Sequence, residues 1–98
     1  MSSAIIQIRS SDENFYIYRG SDGYPECCGL EFNSVINKYR DNRNAKQIAT
    51  DLANRPNFEA VACERGDERF KYIFDCATGI IKILVKQLGK WVNISGRY

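Results

Sequence analysis

The stretch Phe70-Lys71-Tyr72-Ile73-Phe74-Asp75-Cys76-Ala77-Thr78-Gly79-Ile80-Ile81-Lys82-Ile83-Leu84-Val85-Lys86-Gln87 carries the clearest period in the chain. Phe70, Tyr72, Phe74 and Cys76 alternate with Lys71, Ile73 and Asp75. Ile81, Ile83 and Val85 alternate with Lys82, Leu84 and Lys86. A period of two belongs to strands, whose successive side chains leave opposite faces. Asp75 to Gly79 suits a type I turn closed by a glycine bulge. The stretch therefore predicts two strands, Phe70–Cys76 and Ile80–Gln87, joined as a hairpin with one apolar face.

The neighbouring segments extend this pattern. Phe58 to Glu64 reads as a preceding strand, with Gly66-Asp67 as the turn between. After Gly89, Trp91 to Ile94 reads as a short last strand. Further upstream the period changes. Phe32, Val35, Ile36 and Tyr39 follow the i, i+3, i+4, i+7 spacing of a helix over Leu30–Tyr39. Asp41 to Asn44 interrupts it. Asn44 is placed to cap a second helix, with Gln47 completing a capping-box pattern. Ala45, Ile48, Ala49 and Leu52 repeat the apolar spacing until Pro56 stops it. At the N-terminus, Ala4–Arg9 and Phe15–Arg19 read as a hairpin about the polar turn Ser10–Asn14. Gly20 to Gly29 reads as an irregular loop, with a turn at Asp22-Gly23 and a break at Pro25. The order is ββααβββ. Strands that flank helices without alternating with them predict an α+β fold: an antiparallel sheet of about five strands with two helices packed on one face, in one domain over 1–98.

Composition bounds the chemistry. The chain has 98 residues, 44% hydrophobic and 27% charged, which fits one domain with a real core rather than disorder. Fourteen basic and twelve acidic residues leave a net charge of +2, too balanced to announce a nucleic-acid binder. No run nears the ~20 apolar residues of a membrane helix. The N-terminus lacks the basic region and apolar length of a signal peptide. The expectation is a cytoplasmic protein with reduced thiols and no membrane partner.

There is no histidine, which removes the commonest general base and most catalytic zinc sites. The four cysteines are Cys27, Cys28, Cys63 and Cys76. The first two are vicinal and the last two fall on predicted strands, so none has zinc-ligand spacing. Asp22, Glu26 and Glu31 lie close in sequence, but each has an ordinary role as turn former, loop surface or first-turn helix acid. The reading is a non-enzymatic protein without metal or cofactor.

Two sets of binding residues stand out. Tyr16, Tyr18 and Tyr24 cluster around the hairpin and loop, with Arg19, Asp22 and Glu26 among them. Exposed tyrosine beside arginine is typical of protein interfaces, and tyrosines packed under the loop are the alternative. The stretch from Ala77 to Tyr98 has no acid, and its Lys82, Lys86, Lys90 and Arg97 form a candidate nucleic-acid set near Trp91. Lysines alternating with apolar residues are also the ordinary dress of a solvated strand. Lys38, Arg40, Arg43 and Lys46 form a further basic set in the helical region.

The segment Tyr16 to Glu26, followed by Gly29, resembles a motif of small uncharacterised phage and prophage proteins. Their opening hairpin reads roughly I-Y-R-H-W-D-G-Y-P-E-G. Ile17-Tyr18-Arg19 and Asp22-Gly23-Tyr24-Pro25-Glu26 match it. Gly20-Ser21 replaces His-Trp, and Cys27 stands where glycine is common. Phe70–Asp75 with Thr78-Gly79 is also similar to theirs. The resemblance implies a phage or mobile-element origin. By analogy of origin and size it implies a stoichiometric inhibitor of a bacterial defence complex, of the anti-CRISPR kind. The expected partner is a host protein complex bound through Tyr16, Tyr18, Arg19, Asp22, Tyr24 and Glu26, by a monomer or homodimer.

Overall fold

The computed structural model describes residues 2–97. The alternating segments become β1 (Ala4–Arg9), β2 (Asn14–Arg19), β3 (Phe58–Val61), β4 (Phe70–Asp75), β5 (Ile81–Gln87) and β6 (Lys90–Asn93). The helical ones become α1 (Leu30–Lys38) and α2 (Ala45–Ala53). Ala4, Ile6 and Ile8 share one sheet face with Ile17, Tyr72, Phe74, Ile83 and Val85. That face meets Phe32, Val35 and Ile36 of α1 and Ala45, Ile48, Ala49 and Leu52 of α2 in one core. Each large side chain buried there contributes about 1.5–3 kcal/mol. The Asn44 cap forms as expected, its Oδ1 accepting the Gln47 N–H at 3.0 Å. Asp51 of α2 then ties the helices together. It accepts from Lys38 Nζ at 2.7 Å and from the Tyr39 hydroxyl at 3.0 Å. The Lys38 bond holds the Asp51 carboxyl below the usual range, and the bond to Asp51 raises the Tyr39 hydroxyl.

The sheet corrects the purely antiparallel, five-stranded expectation. It has six strands in the order β3-β2-β1-β4-β5-β6. β1 and β4 are parallel, from Ala4 beside Phe70 to Arg9 beside Asp75. The other four pairings are antiparallel. The cause is the route of the chain. β3 sits outside β2 and points the same way as β1. Residues 62–69 then carry the chain back to the end where β1 starts, and the Arg69 and Phe70 N–H groups donate to the Ser3 carbonyl at 3.0 and 3.2 Å. β4 therefore enters beside β1 and in its direction. Side chains alternate in both kinds of pairing, so the period is silent on direction.

Several boundaries also move. β3 ends at Val61 and β4 at Asp75, which leaves Cys63 in the link and Cys76 in the β4–β5 turn rather than on strands. Part of the expected irregular loop is a π-helical turn, Pro25–Gly29, running directly into α1. Pro25 starts this turn instead of breaking the chain, because a first-turn residue needs no N–H partner.

The link 62–69 crosses the sheet face opposite the helices. The Tyr18 hydroxyl donates to Asp67 Oδ2 at 3.1 Å, and Ser3 Oγ donates to the Asp67 carbonyl at 3.0 Å. The Arg65 guanidinium lies 4.2 Å from the centre of the Tyr18 ring. The buried Glu68 carboxylate accepts the N–H groups of Arg65 at 2.6 Å and Gly66 at 2.8 Å, which folds the link on itself.

Candidate functional site

The six residues expected to meet a partner differ in exposure. Arg19 is buried, at 4% exposure, and is an internal anchor rather than a surface contact. Its Nε donates to the Ser21 carbonyl at 2.8 Å, and its guanidinium pairs with Glu31 in the first turn of α1. It also lies 4.8 Å from the centre of the Phe58 ring, with Cys27 Sγ at 3.9 Å. Tyr18 is likewise buried, at 7% exposure, beneath the 62–69 link. Burial leaves little of either side chain on the surface. Tyr16 is half-buried on the same face as Tyr18. Asp22, Tyr24 and Glu26 are exposed.

These last three sit on a loop held from both sides. The Gly23 N–H donates to the Ser2 carbonyl at 2.9 Å, and its carbonyl accepts from the Tyr72 hydroxyl at 2.7 Å. A Cβ at Gly23 would stand 2.7 Å from the Ser3 carbonyl carbon, so only glycine fits that approach. The N–H groups of Cys27 and Cys28 both donate to the Tyr24 carbonyl at 3.0 Å. Tyr24 is thus fixed by its backbone while the residue as a whole is 39% exposed. Six residues on, Leu30 opens α1 at 66% exposure. Sequence reasoning missed Leu30, although a signal exists. Leu30, Asn33, Ser34 and Asn37 share the i, i+3, i+4, i+7 stripe opposite the buried one, so Leu30 is the apolar member of a polar face.

The alternative basic set is also divided. Lys82 and Lys86 lie on the sheet face opposite the helices. There they join Lys71 and Trp91. The Lys86 and Lys71 ammonium groups are 4.9 and 5.8 Å from the Trp91 ring centre. Lys71 also pairs with Glu64 at 2.9 Å, and Lys86 donates to the Gly66 carbonyl at 3.3 Å. Lys90 alternates with Trp91 along β6 and so leaves the sheet on the other side. The Arg97 side chain lies outside what the structure describes.

Among the described residues, no three histidine, cysteine or acidic side chains converge as a metal site. Burial pushes the Cys28 thiol up to about 12, so it is the neutral form that the fold holds. A native-state alkylation experiment should modify the exposed Cys63 readily and leave Cys28 intact until denaturant is added. Mass spectrometry reads both sites, and equal native rates would contradict the burial. The pH dependence has a fixed sign. Stability linked to the neutral Cys28 thiol is complete below the unfolded value of 9.0 and is lost as pH climbs from there towards about 12.

No helix among the described residues is long and apolar enough to cross a membrane. No protein-family model matches the chain, and no curated protein or solved structure is significantly similar to it.

Proposed function

We propose that the protein acts without catalysis, by stoichiometric binding of a host protein complex, and that the Asp22–Leu30 segment is its contact. One observation carries this reading: Tyr24 is held exposed on a loop whose backbone is bonded on both sides. An aromatic anchor on a pre-organised loop loses little freedom on binding, which is how interface hot spots gain their strength. Leu30 extends the apolar contact, and Asp22 and Glu26 give it an acidic rim. The matching partner surface is an apolar pocket with basic residues around it. The resemblance to phage proteins makes a bacterial defence complex, a CRISPR effector first, the partner to test. In size-exclusion co-elution with purified effector complexes, Tyr24→Ala should weaken binding about 10- to 100-fold, with the melting temperature almost unchanged. Wild-type affinity in a correctly folded Tyr24→Ala variant would remove the loop from the interface.

A second reading, single-stranded nucleic-acid binding, is favoured by the Lys71–Trp91–Lys86 cluster with Lys82 on one sheet face. Aromatic platforms among lysines are the usual means of holding a single strand. In a salt titration with a fluorescent oligonucleotide, log affinity should fall steeply with log salt, and Trp91→Ala should weaken binding at every salt concentration. Absence of binding at low salt ends this reading.

A further inference from the structure

The connection 39–44 and the turn between β4 and β5 face each other across a cleft of about 370 Å3. It lies at the end of α1 opposite Leu30, so a ligand there would be independent of a partner held by the Asp22–Leu30 segment. Ile36, Phe74 and Ile81 form an apolar lining. Asn37, Arg40 and Arg43 supply the polar groups, and no acid lines the cleft. Arg40 and Arg43, read from sequence as part of a helical basic set, belong instead to the turn between the helices.

Arg19, Lys38, Arg55, Arg65 and Lys71 all form ion pairs with acids. Like Arg9, Lys46, Arg69, Lys82, Lys86 and Lys90, Arg40 and Arg43 form no ion pair among the described residues, and what distinguishes them is that both line one acid-free cleft. The Arg43 guanidinium lies against the β4–β5 turn. Gly79 closes the β4–β5 turn at φ 74°, and a Cβ there would collide with the Arg43 guanidinium. The bare glycine lets that guanidinium lie against the turn.

We propose that this cleft is a binding site for a small phosphate monoester with an apolar or aromatic body. Two guanidinium forks favour a monoester over a carboxylate, because a carboxylate brings two oxygens and a single charge. A monoester near neutral pH carries close to two charges and three acceptor oxygens, which suits two guanidinium forks, and Asn37 lines the same cleft. The apolar lining then receives the organic body. The volume falls at the low end of small-ligand sites, which suits a ligand of phenyl phosphate or mononucleotide size.

The test is a 1H–15N NMR titration of the full chain with phenyl phosphate, adenosine 5′-monophosphate, inorganic phosphate and benzyl alcohol. Saturable shifts are expected at the amides of Asn37, Arg40, Arg43 and Gly79. Both monoesters should bind more tightly than inorganic phosphate, and benzyl alcohol should not saturate. Arg40→Gln and Arg43→Gln should each weaken monoester binding about tenfold without lowering the melting temperature. Arg43→Lys, which keeps the charge and loses the fork, should fall between. Affinity should also rise across the second ionisation of the phosphate, near pH 6, since the chain has no histidine to titrate there. Non-saturating shifts through the millimolar range would overturn the proposal, as would wild-type affinity in both glutamine variants. An oligonucleotide without a terminal phosphate shifting the same amides as strongly would also overturn it, in favour of a phosphodiester surface.

Discussion

Tyr72→Ala is expected to lower stability by about 4 kcal/mol, the range for deleting a buried aromatic ring. Tyr72 is fully buried and joins three parts of the molecule. It stands on β4 at the centre of the sheet, and its ring centre is 5.9 Å from that of Phe32 on α1. Its hydroxyl donates to the Gly23 carbonyl at 2.7 Å. A domain of this size has only about 5–15 kcal/mol in all, so the alanine variant forfeits a large share of its stability. Tyr72→Phe separates the two contributions. It keeps the ring and leaves the Gly23 carbonyl unpaired, at a cost of about 1–2 kcal/mol. That corresponds to a melting temperature lower by about 5–10 °C. Urea unfolding followed by circular dichroism measures both variants, and an unchanged m-value shows that stability alone has moved. A loss below about 1 kcal/mol for the alanine variant would contradict the packing described. Because Gly23 precedes Tyr24, the phenylalanine variant should also loosen the loop and weaken any binding that uses it.

The second large effect concerns Arg19 and Glu31, and its asymmetry is the test. The Arg19 side chain is 5% exposed, whereas that of Glu31 is 41% exposed. Removing the carboxylate with Glu31→Ala strands a cation that cannot reach water. The expected loss is on the order of 2–3 kcal/mol, below the usual figure for a broken buried pair because the Ser21 carbonyl still accepts from Arg19. The same change removes an acid from the first turn of α1, a smaller loss in the same direction. Arg19→Met places an apolar chain of similar length against Phe58 and lets Glu31 turn to solvent, so it should be the milder variant at about 1 kcal/mol. In a double-mutant cycle the combined variant should be more stable than the sum of the singles by about 1–2 kcal/mol. High salt should change these differences little, since a pair with one buried member is weakly screened. If Arg19→Met were the more damaging, the arginine would be acting chiefly through its packing and its bond to Ser21 rather than through its charge.

Arg19 also shows where sequence reading loses its hold. Beside Tyr18 and before a glycine-rich turn, it has the look of a surface contact. Its burial comes from Glu31, twelve residues on, and from Phe58, on a strand that pairs with β2 only after both helices have passed. Tyr18 repeats the lesson. It lies on the sheet face away from the helices, and what covers it is Asp67 and Arg65, forty-nine and forty-seven residues further along the chain. Of the expected contact set, Asp22, Tyr24 and Glu26 remain on the surface because their segment is local and is anchored through the backbone of Gly23 and Tyr24. Leu30 was legible as a misfit on a polar helix stripe. The cleft beside Arg43 was not, since its two walls lie more than thirty residues apart.

Short-range signals in the chain therefore account for the six strand-forming stretches, the two amphipathic helices, the Asn44 cap and the glycine turn at Gly79. Each depends on residues a few positions apart, where side-chain period and backbone preference act directly. The parallel pairing of β1 with β4, the link that covers Tyr18, the burial of Arg19 and the meeting of Arg43 with Gly79 arise only in the assembled fold. Those depend on which edge of the sheet the chain returns to after β3, and neither period nor propensity carries that information because both are the same for either return.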